Sequence, residues 1–210
     1  MGEDRVILRR ILGKVYRCLF YILNRPFYGA LGKNSIIQSP LLIFGKKRIF
    51  IGDRVRIMPM ARIEAICTWK SAGETMNFES RILIDDGVDI GQGFHLTVAE
   101  LVHIHKDVLI APYVYITDVM HDYDDVGVPV QLQGINFRPT EIGEGSHIGI
   151  GAKIMEGVKI GRHCVIGANS VVTHDVPDYC VVAGSPAHII KRYNNETKLW
   201  EKIQMEQTKK

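Results

Sequence analysis

From Thr140 to Pro177 an aliphatic residue recurs at every sixth position: Ile142, Ile148, Ile154, Ile160, Ile166 and Val172. Gly143, Gly149, Gly161 and Gly167 follow four of these lead residues, and four places after each lead stands a small or branched residue, Ser146, Ala152, Val158, Cys164, Ser170 or Val176. A period of six fits neither a helix, at 3.6, nor an alternating strand, at 2. It fits a coil of triangular cross-section with six residues per side. The lead residue of each side points inward, and glycine or a polar residue takes the corner.

The same beat begins at Ile51, Ile57 and Ile63, lapses through residues 69–81, and returns at Ile84, Ile90 and Leu96. After two extra residues it continues with Ile104, Ile110 and Ile116. It then stops at Asp118 and resumes at Ile142, 26 residues after Ile116. Five three-sided turns follow, at 51–68, 84–101, 104–121, 142–159 and 160–177. Each turn buries its aliphatics only by stacking on its neighbours. A long interruption in so regular a coil is a place to look for function, which singles out the loop 118–140.

Helices are expected at both ends. Residues 5–23 set Leu8, Ile11, Leu12, Val15, Leu19, Ile22 and Leu23 on one face and Arg10, Lys14 and Arg17 on the other, and Pro26 ends the segment. Its charges break every apolar run, so it is not expected to span a bilayer, and without a small-residue cleavage site it does not read as a signal peptide. Packing on the coil or a sister subunit is one role; peripheral contact with an anionic membrane is the other. The tail 194–210, with Leu199, Trp200 and Ile203 at helical spacing and Asn194 or Asn195 as N-cap, reads as a second helix covering the open end of the stack. The domain plan is therefore 1–26, an amphipathic helix; 27–193, the coil with its loop 118–140; and 194–210, a C-terminal helix.

Composition narrows the function. A formal charge of +3 on 210 residues, with no basic run interleaved with aromatics, argues against a nucleic-acid partner. Cys18, Cys67, Cys164 and Cys180 are scattered without a CxxC, the pattern of free thiols in a reducing compartment, and Cys164 falls at an inward place of the repeat. No dinucleotide turn, phosphate loop or nucleophile elbow occurs, and no zinc-type spacing, so no metal site is expected.

The loop itself carries the candidate chemistry. His121 lies three residues past Asp118, with Asp122, Asp124 and Asp125 close behind. An imidazole oriented by a carboxylate or carbonyl leaves its second nitrogen free to take a proton near neutral pH. His103 and His105 flank the inward Ile104 and face outward; His147, His163 and His174 occupy outward or corner places, and His188 lies in the tail.

The repeat, the LIAP at 109–112, the HDY at 121–123, VIGANSVVTHDVP at 165–177 and AGSPAHIIKRY at 183–193 together resemble the hexapeptide-repeat acyltransferases. The similarity is strongest to the sugar O-acetyltransferases, among them galactoside and maltose acetyltransferases and those of capsule and O-antigen, and it covers residues 51–193. It implies an all-β solenoid, a left-handed parallel β-helix, assembled as a homotrimer with each site in the groove between two coils. It implies acetyl-CoA as donor, a sugar or nucleotide-sugar acceptor, and His121 as the base that deprotonates it, with Asp118 to orient the ring. Gly149, Ala168, Thr173, His174, Lys191 and Arg192 match the coenzyme-contacting positions, and His95 and Thr97 are expected on the acceptor side. Two departures stand out: His174 where relatives commonly have Lys, and His147 where they have Trp. A cytoplasmic location, with peripheral attachment at the inner membrane face left open, completes the expectation. The alternatives are N-acetylation of an aminosugar nucleotide or an antibiotic, a carbonic-anhydrase-like coil, and a non-catalytic scaffold. The carbonic anhydrase pattern wants a histidine five places after His121, where Val126 stands.

Overall fold

The computed structural model describes residues 3–71 and 74–203. Its body is a left-handed parallel β-helix of three sheets. The first contains Ala30–Leu31, Ile49–Ile51, Arg81–Ile84, Leu101–Ile104, Thr140–Ile142 and Lys159–Ile160 in that order. The second runs from Ile36–Ile37 through Val165–Ile166 to Cys180–Gly184, and the third from Leu42–Phe44 to Val171–Val172. Lead residues stack in register: Ile51 on Ile84 on Ile104 on Ile142 on Ile160 in the first sheet, and Ile43 on Ile63 on Leu96 on Ile116 on Ile154 on Val172 in the third. The second sheet carries the matching ladder from Ile37 to Val182. These ladders form one continuous core in which Ile57, Ile63, Ile90, Ile104, Ile116, Ile142 and Ile154 are wholly buried. Burying such a side chain contributes about 1.5–3 kcal/mol, and only the adjacent turns supply the contact.

The coil starts one turn earlier than expected. Leu31, Ile37 and Ile43 keep the six-residue spacing and pair with the turn at Ile51, Ile57 and Ile63. Ser35 there donates to the Gly52 carbonyl (2.6 Å) and accepts from the Val55 amide (2.9 Å), as Ser146 does with Gly161 (2.8 Å) and Cys164 (2.9 Å). Where the residue four places after a lead is one of these serines, its hydroxyl thus stitches one turn to the next.

The corners are also built differently. Left-handed backbone falls on the third residue after the lead, at Arg54 (φ 58°), Asp107 (φ 55°), His163 (φ 50°) and Asn169 (φ 55°) as well as at Gly145 and Gly151. The glycine directly after the lead answers a different demand, the approach of the next turn: a Cβ at Gly149 would lie 2.6 Å from the Ile166 carbonyl oxygen.

Helix α1 (Glu3–Asn24) forms as expected, and its end rests on the first turn of the coil through Phe20 and Tyr21. Val15, Leu19, Ile22 and Leu23 remain exposed in the single chain, while Leu8, Ile11 and Leu12 lie outside the residues whose side chains are described. Among the described residues no helix is long and apolar enough to cross a membrane.

The expected C-terminal helix does not form over the described part of 194–210. Ala187–Asn194 turns back antiparallel on Cys180–Gly184, and Leu199–Lys202 pairs antiparallel with it; residues 204–210 lie outside the described residues. The last parallel strand presents unpaired amides and carbonyls, which a strand satisfies and a helix does not. Trp200 packs edge-on against Tyr193 (5.5 Å), and the Asn194 side chain accepts from the amides of Glu196 (2.8 Å) and Thr197 (3.2 Å), capping a turn between strands.

Candidate active site

Two insertions leave the coil and meet. The loop 118–140 opens as the strand Val119–His121, paired antiparallel with Ile135–Phe137 so that His121 faces Ile135. The earlier lapse in the beat forms a second hairpin, Thr68–Ser71 with Glu74–Asn77. Phe78, Ala99 and Ile135 make a small core between them, joined by Trp69, Met76, Val119 and Phe137, with Phe78 edge-on to Phe137 at 5.4 Å. The Ser71 hydroxyl lies 2.5 Å and 2.6 Å from the carbonyl oxygens of Leu132 and Gln133, fastening one insertion to the other.

His121 is exposed, with its ring against the indole of Trp69 (centroids 5.2 Å, planes 59° apart). It stands at the edge of a cavity of about 360 Å3 whose other walls include Arg62, Glu64, Trp69, His95 and Thr97. Apart from Trp69, which stands on the second hairpin, these come from outward positions of the third sheet, stacked by register: Arg62 beside His95 and Glu64 beside Thr97. Arg62 donates twice to Glu64 (2.5 and 3.0 Å). His95 Nε2 lies 3.3 Å from Thr97 Oγ1 and 3.8 Å from a Glu64 oxygen, and Tyr115 meets its ring edge-on at 5.2 Å. Burial, helped by the Arg62 charge and opposed by Glu64, holds the His95 pKa below its ordinary value. The Trp69 indole N–H is buried without a partner among the described residues.

Asp118 has a different task from the one expected. It is fully buried, and its carboxylate accepts the amides of Ala99, Glu100 and Leu101 at 2.8, 2.8 and 2.7 Å. It locks the base of the loop to the turn below and does not orient His121. Burial pushes its pKa up, against these three N–H bonds. The other acids near His121 also serve the loop: Asn136 donates to Asp122, and Asp125 accepts the Gly127 amide at 2.8 Å. Among the described residues the ring that meets His121 is the Trp69 indole, which the spacing of charged residues did not disclose.

His95 and Thr97, the residues expected on the acceptor side, line the same cavity as His121. The six coenzyme-matched residues lie elsewhere. Gly149 and Ala168 are neighbours at the corner between the second and third sheets, where a Gly149 Cβ would sit 2.8 Å from the Ala168 amide. Thr173 and His174 are exposed at the next corner, in mutual contact at 2.9 Å. Lys191 and Arg192 pair with Val181 and Cys180 on the C-terminal hairpin. Arg62, Glu64 and Trp69 were missed at sequence level. The available signal for the first two was their place either side of the lead Ile63; nothing local marked Trp69.

Residues 139–174 match the family model "Bacterial transferase hexapeptide (six repeats)". The chain is 38% identical over 128 residues to the "Putative lipopolysaccharide biosynthesis O-acetyl transferase WbbJ" of Escherichia coli, covering 58% of this chain and 65% of that protein. It is 32% identical over 165 residues to the "Probable acetyltransferase Rv3034c" of Mycobacterium tuberculosis, covering 76% of this chain and 54% of the relative. The chain thus spans less than two thirds of either relative's length. Among solved structures it resembles the Vibrio cholerae hexapeptide-repeat acetyltransferase VCA0836 complexed with acetyl-coenzyme A, at 25% identity and TM-score 0.52, covering 83% of this chain and 76% of that one. The fold also matches AntD, an N-acyltransferase from Bacillus cereus in complex with dTDP-4-amino-4,6-dideoxyglucose and coenzyme A, at 20% identity and TM-score 0.68, covering 83% and 89% of the two chains.

Proposed function

We propose that this chain, whose residues 139–174 match the bacterial hexapeptide transferase repeat, transfers acetyl from acetyl-CoA to a hydroxyl of a sugar, in the building of surface polysaccharide. The observation that carries the reading is the His121 cavity. An imidazole, an indole face and a stack of polar side chains border one space, a combination suited to a sugar ring with its apolar face and its hydroxyls.

In this reading His121 takes the proton of the acceptor hydroxyl as its oxygen attacks the thioester carbonyl. The tetrahedral intermediate collapses with cleavage of the C–S bond, and the imidazolium returns the proton to the departing thiolate. No acyl-enzyme forms, so no nucleophilic side chain is required, and backbone amides of the groove steady the oxyanion. Thr97 and His95 hold the acceptor. Gly149, Ala168, Thr173 and His174 line the donor's arm, and Lys191 and Arg192 meet its phosphates. Gly149 and Ala168 follow the second sheet whereas the His121 loop leaves after the third, which fits a homotrimer with the donor groove of one subunit running to the His121 loop of another. Use of acetyl-CoA fits work in the cytoplasm. The similarity to the Escherichia coli protein named for lipopolysaccharide biosynthesis supports the polysaccharide assignment.

The second reading, N-acetylation of an aminosugar nucleotide, draws on Glu64, a carboxylate on the cavity wall able to meet an amine. A thiol-release assay with acetyl-CoA against sugars, nucleotide sugars and aminosugars decides between them. Turnover confined to hydroxyl acceptors supports the first reading; turnover confined to amines replaces it, and none with any acceptor removes both.

A further inference from the structure

On the first sheet, away from the His121 cavity, three metal-ligating side chains converge. His103 takes the outward position before Ile104, and His105 the position after it. Asp85 follows Ile84, the lead residue stacked directly on Ile104 in the neighbouring turn. His103 Nε2 stands 3.0 Å from one Asp85 oxygen and His105 Nδ1 3.6 Å from the other. The two rings lie close, with centroids 3.7 Å apart and planes tilted by 32°, and one ligand atom from each of the three residues falls within 4.8 Å of the others. Beside them opens a cavity of about 460 Å3, bordered by Phe50, Gly52, Asp86 and Lys106.

We propose that Asp85, His103 and His105 bind one divalent transition-metal ion of the zinc class, with its remaining coordination positions open to this cavity. Two imidazoles and a carboxylate are a donor set that suits zinc and its neighbours and not magnesium or calcium, which prefer oxygen alone. Donors about 2.1 Å from one ion in tetrahedral array stand roughly 3.4 Å apart; the two imidazole-to-carboxylate separations here are 3.0 and 3.6 Å, and all three donors lie within 4.8 Å of one another. The donors are also held in advance. The Asp85 amide donates to the Ile104 carbonyl and the His105 amide to Ile142, both at 2.9 Å, so the parallel ladder sets the backbone of both turns before any ion arrives. Three protein donors leave room for water or a small anion, and the cavity, with Lys106 on its border, supplies the space. The bland alternative is a carboxylate shared by two imidazole N–H groups, which binds no ion.

The test uses the full chain stripped with chelator and titrated with Zn2+ by calorimetry, with Co2+ absorption as a second readout and Mg2+ as the hard-cation comparison. Expected are one Zn2+ per chain, a visible Co2+ band, and no comparable binding of Mg2+. His105→Ala and Asp85→Asn each weaken Zn2+ binding by about tenfold or more, and His103→Gln removes the Co2+ band. His188→Ala, on the C-terminal hairpin, leaves both unchanged. Zn2+ raises the unfolding temperature of the wild type and not of the Asp85→Asn chain, a readout that holds if a histidine variant fails to fold. Absence of Zn2+ binding by the wild type, or binding that survives the changes at Asp85, His103 and His105, overturns the site.

Discussion

The indole of Trp69 and the imidazole of His121 meet with ring centroids 5.2 Å apart, and each belongs to a different insertion in the coil. Neither hairpin holds its ring alone: the contact exists because Phe78, Ile135 and Phe137 bury the junction and Ser71 is fastened to Leu132 and Gln133.

Replacing His121 by Ala should lower kcat for acetyl transfer by about 10²–10⁴ while coenzyme affinity and subunit assembly stay as they are. Trp69→Ala should act more gently, by about tenfold, with the loss in the acceptor KM and kcat and none in the KM for acetyl-CoA. Steady-state kinetics with both substrates varied separates the two. A His121→Ala chain that retains most of its rate would exclude the imidazole as base.

His95 offers a check on the electrostatics of the same cavity. Its pKa is held below the ordinary histidine value of 6.5, first by burial and then by Arg62, with Glu64 pulling the other way. Below pH 6.5 the unfolded chain then binds more protons at this site than the native one. The site's contribution to stability is therefore complete above that pH and declines as pH falls toward the depressed value. Arg62→Met should raise the His95 pKa, and a proton NMR titration of its ring reads the change directly. A His95 that titrates no higher in the variant would mean the Arg62 charge is screened from it.

Asp118 predicts the opposite slope. Burial raises its folded pKa above the unfolded value near 3.8, so the native state holds this proton more firmly. The associated stability is present in full below that value and is lost as pH rises through the folded pKa. Asp118→Asn should flatten this part of the acid limb. It should also cost about 2–4 kcal/mol, because an amide cannot accept the N–H groups of Ala99, Glu100 and Leu101 together. Urea unfolding at several pH values tests both. A loss of catalysis in a variant of undiminished stability would return Asp118 to the chemistry.

The ladders of Ile142, Ile148 and Ile154 were legible because a period of six is a local signal, repeated until chance fails. The turn at Leu31, Ile37 and Ile43 obeys the same rule, yet Pro40 and the adjacent Leu41 and Leu42 blur it, since a single turn carries too few repeats to stand out. The C-terminal helix was mistaken because Leu199, Trp200 and Ile203 have helical spacing, while the deciding factor, an open strand edge at Cys180–Gly184, lies elsewhere in the chain. Candidate chemistry divided the same way. His121 announced itself by interrupting the repeat; Trp69, Arg62 and Glu64 join it only through pairing between turns. Asp118, three residues from His121, looked like its partner and is turned to the backbone of another turn.

Glycine substitutions separate coil-building from coenzyme recognition. An Ala Cβ at Gly149 would lie 2.6 Å from the Ile166 carbonyl oxygen and 2.8 Å from the Ala168 amide; at Gly143 it would lie 2.5 Å from the carbonyl group of Gly161. Both contacts are with backbone, so in each variant neighbouring turns must part, at a cost of about 1–3 kcal/mol. The two glycines differ in their corners. Gly149 borders the corner shared with Ala168, where the donor's arm is proposed to lie, and Gly143 borders the opposite one, near Glu141 and Arg162. Gly149→Ala should therefore lower the unfolding temperature and raise the KM for acetyl-CoA severalfold, whereas Gly143→Ala should lower the unfolding temperature alone. Thermal unfolding and donor-saturation kinetics on the two variants measure this. Equal effects of both on the donor KM would mean that the Gly149–Ala168 corner serves the coil and not the coenzyme.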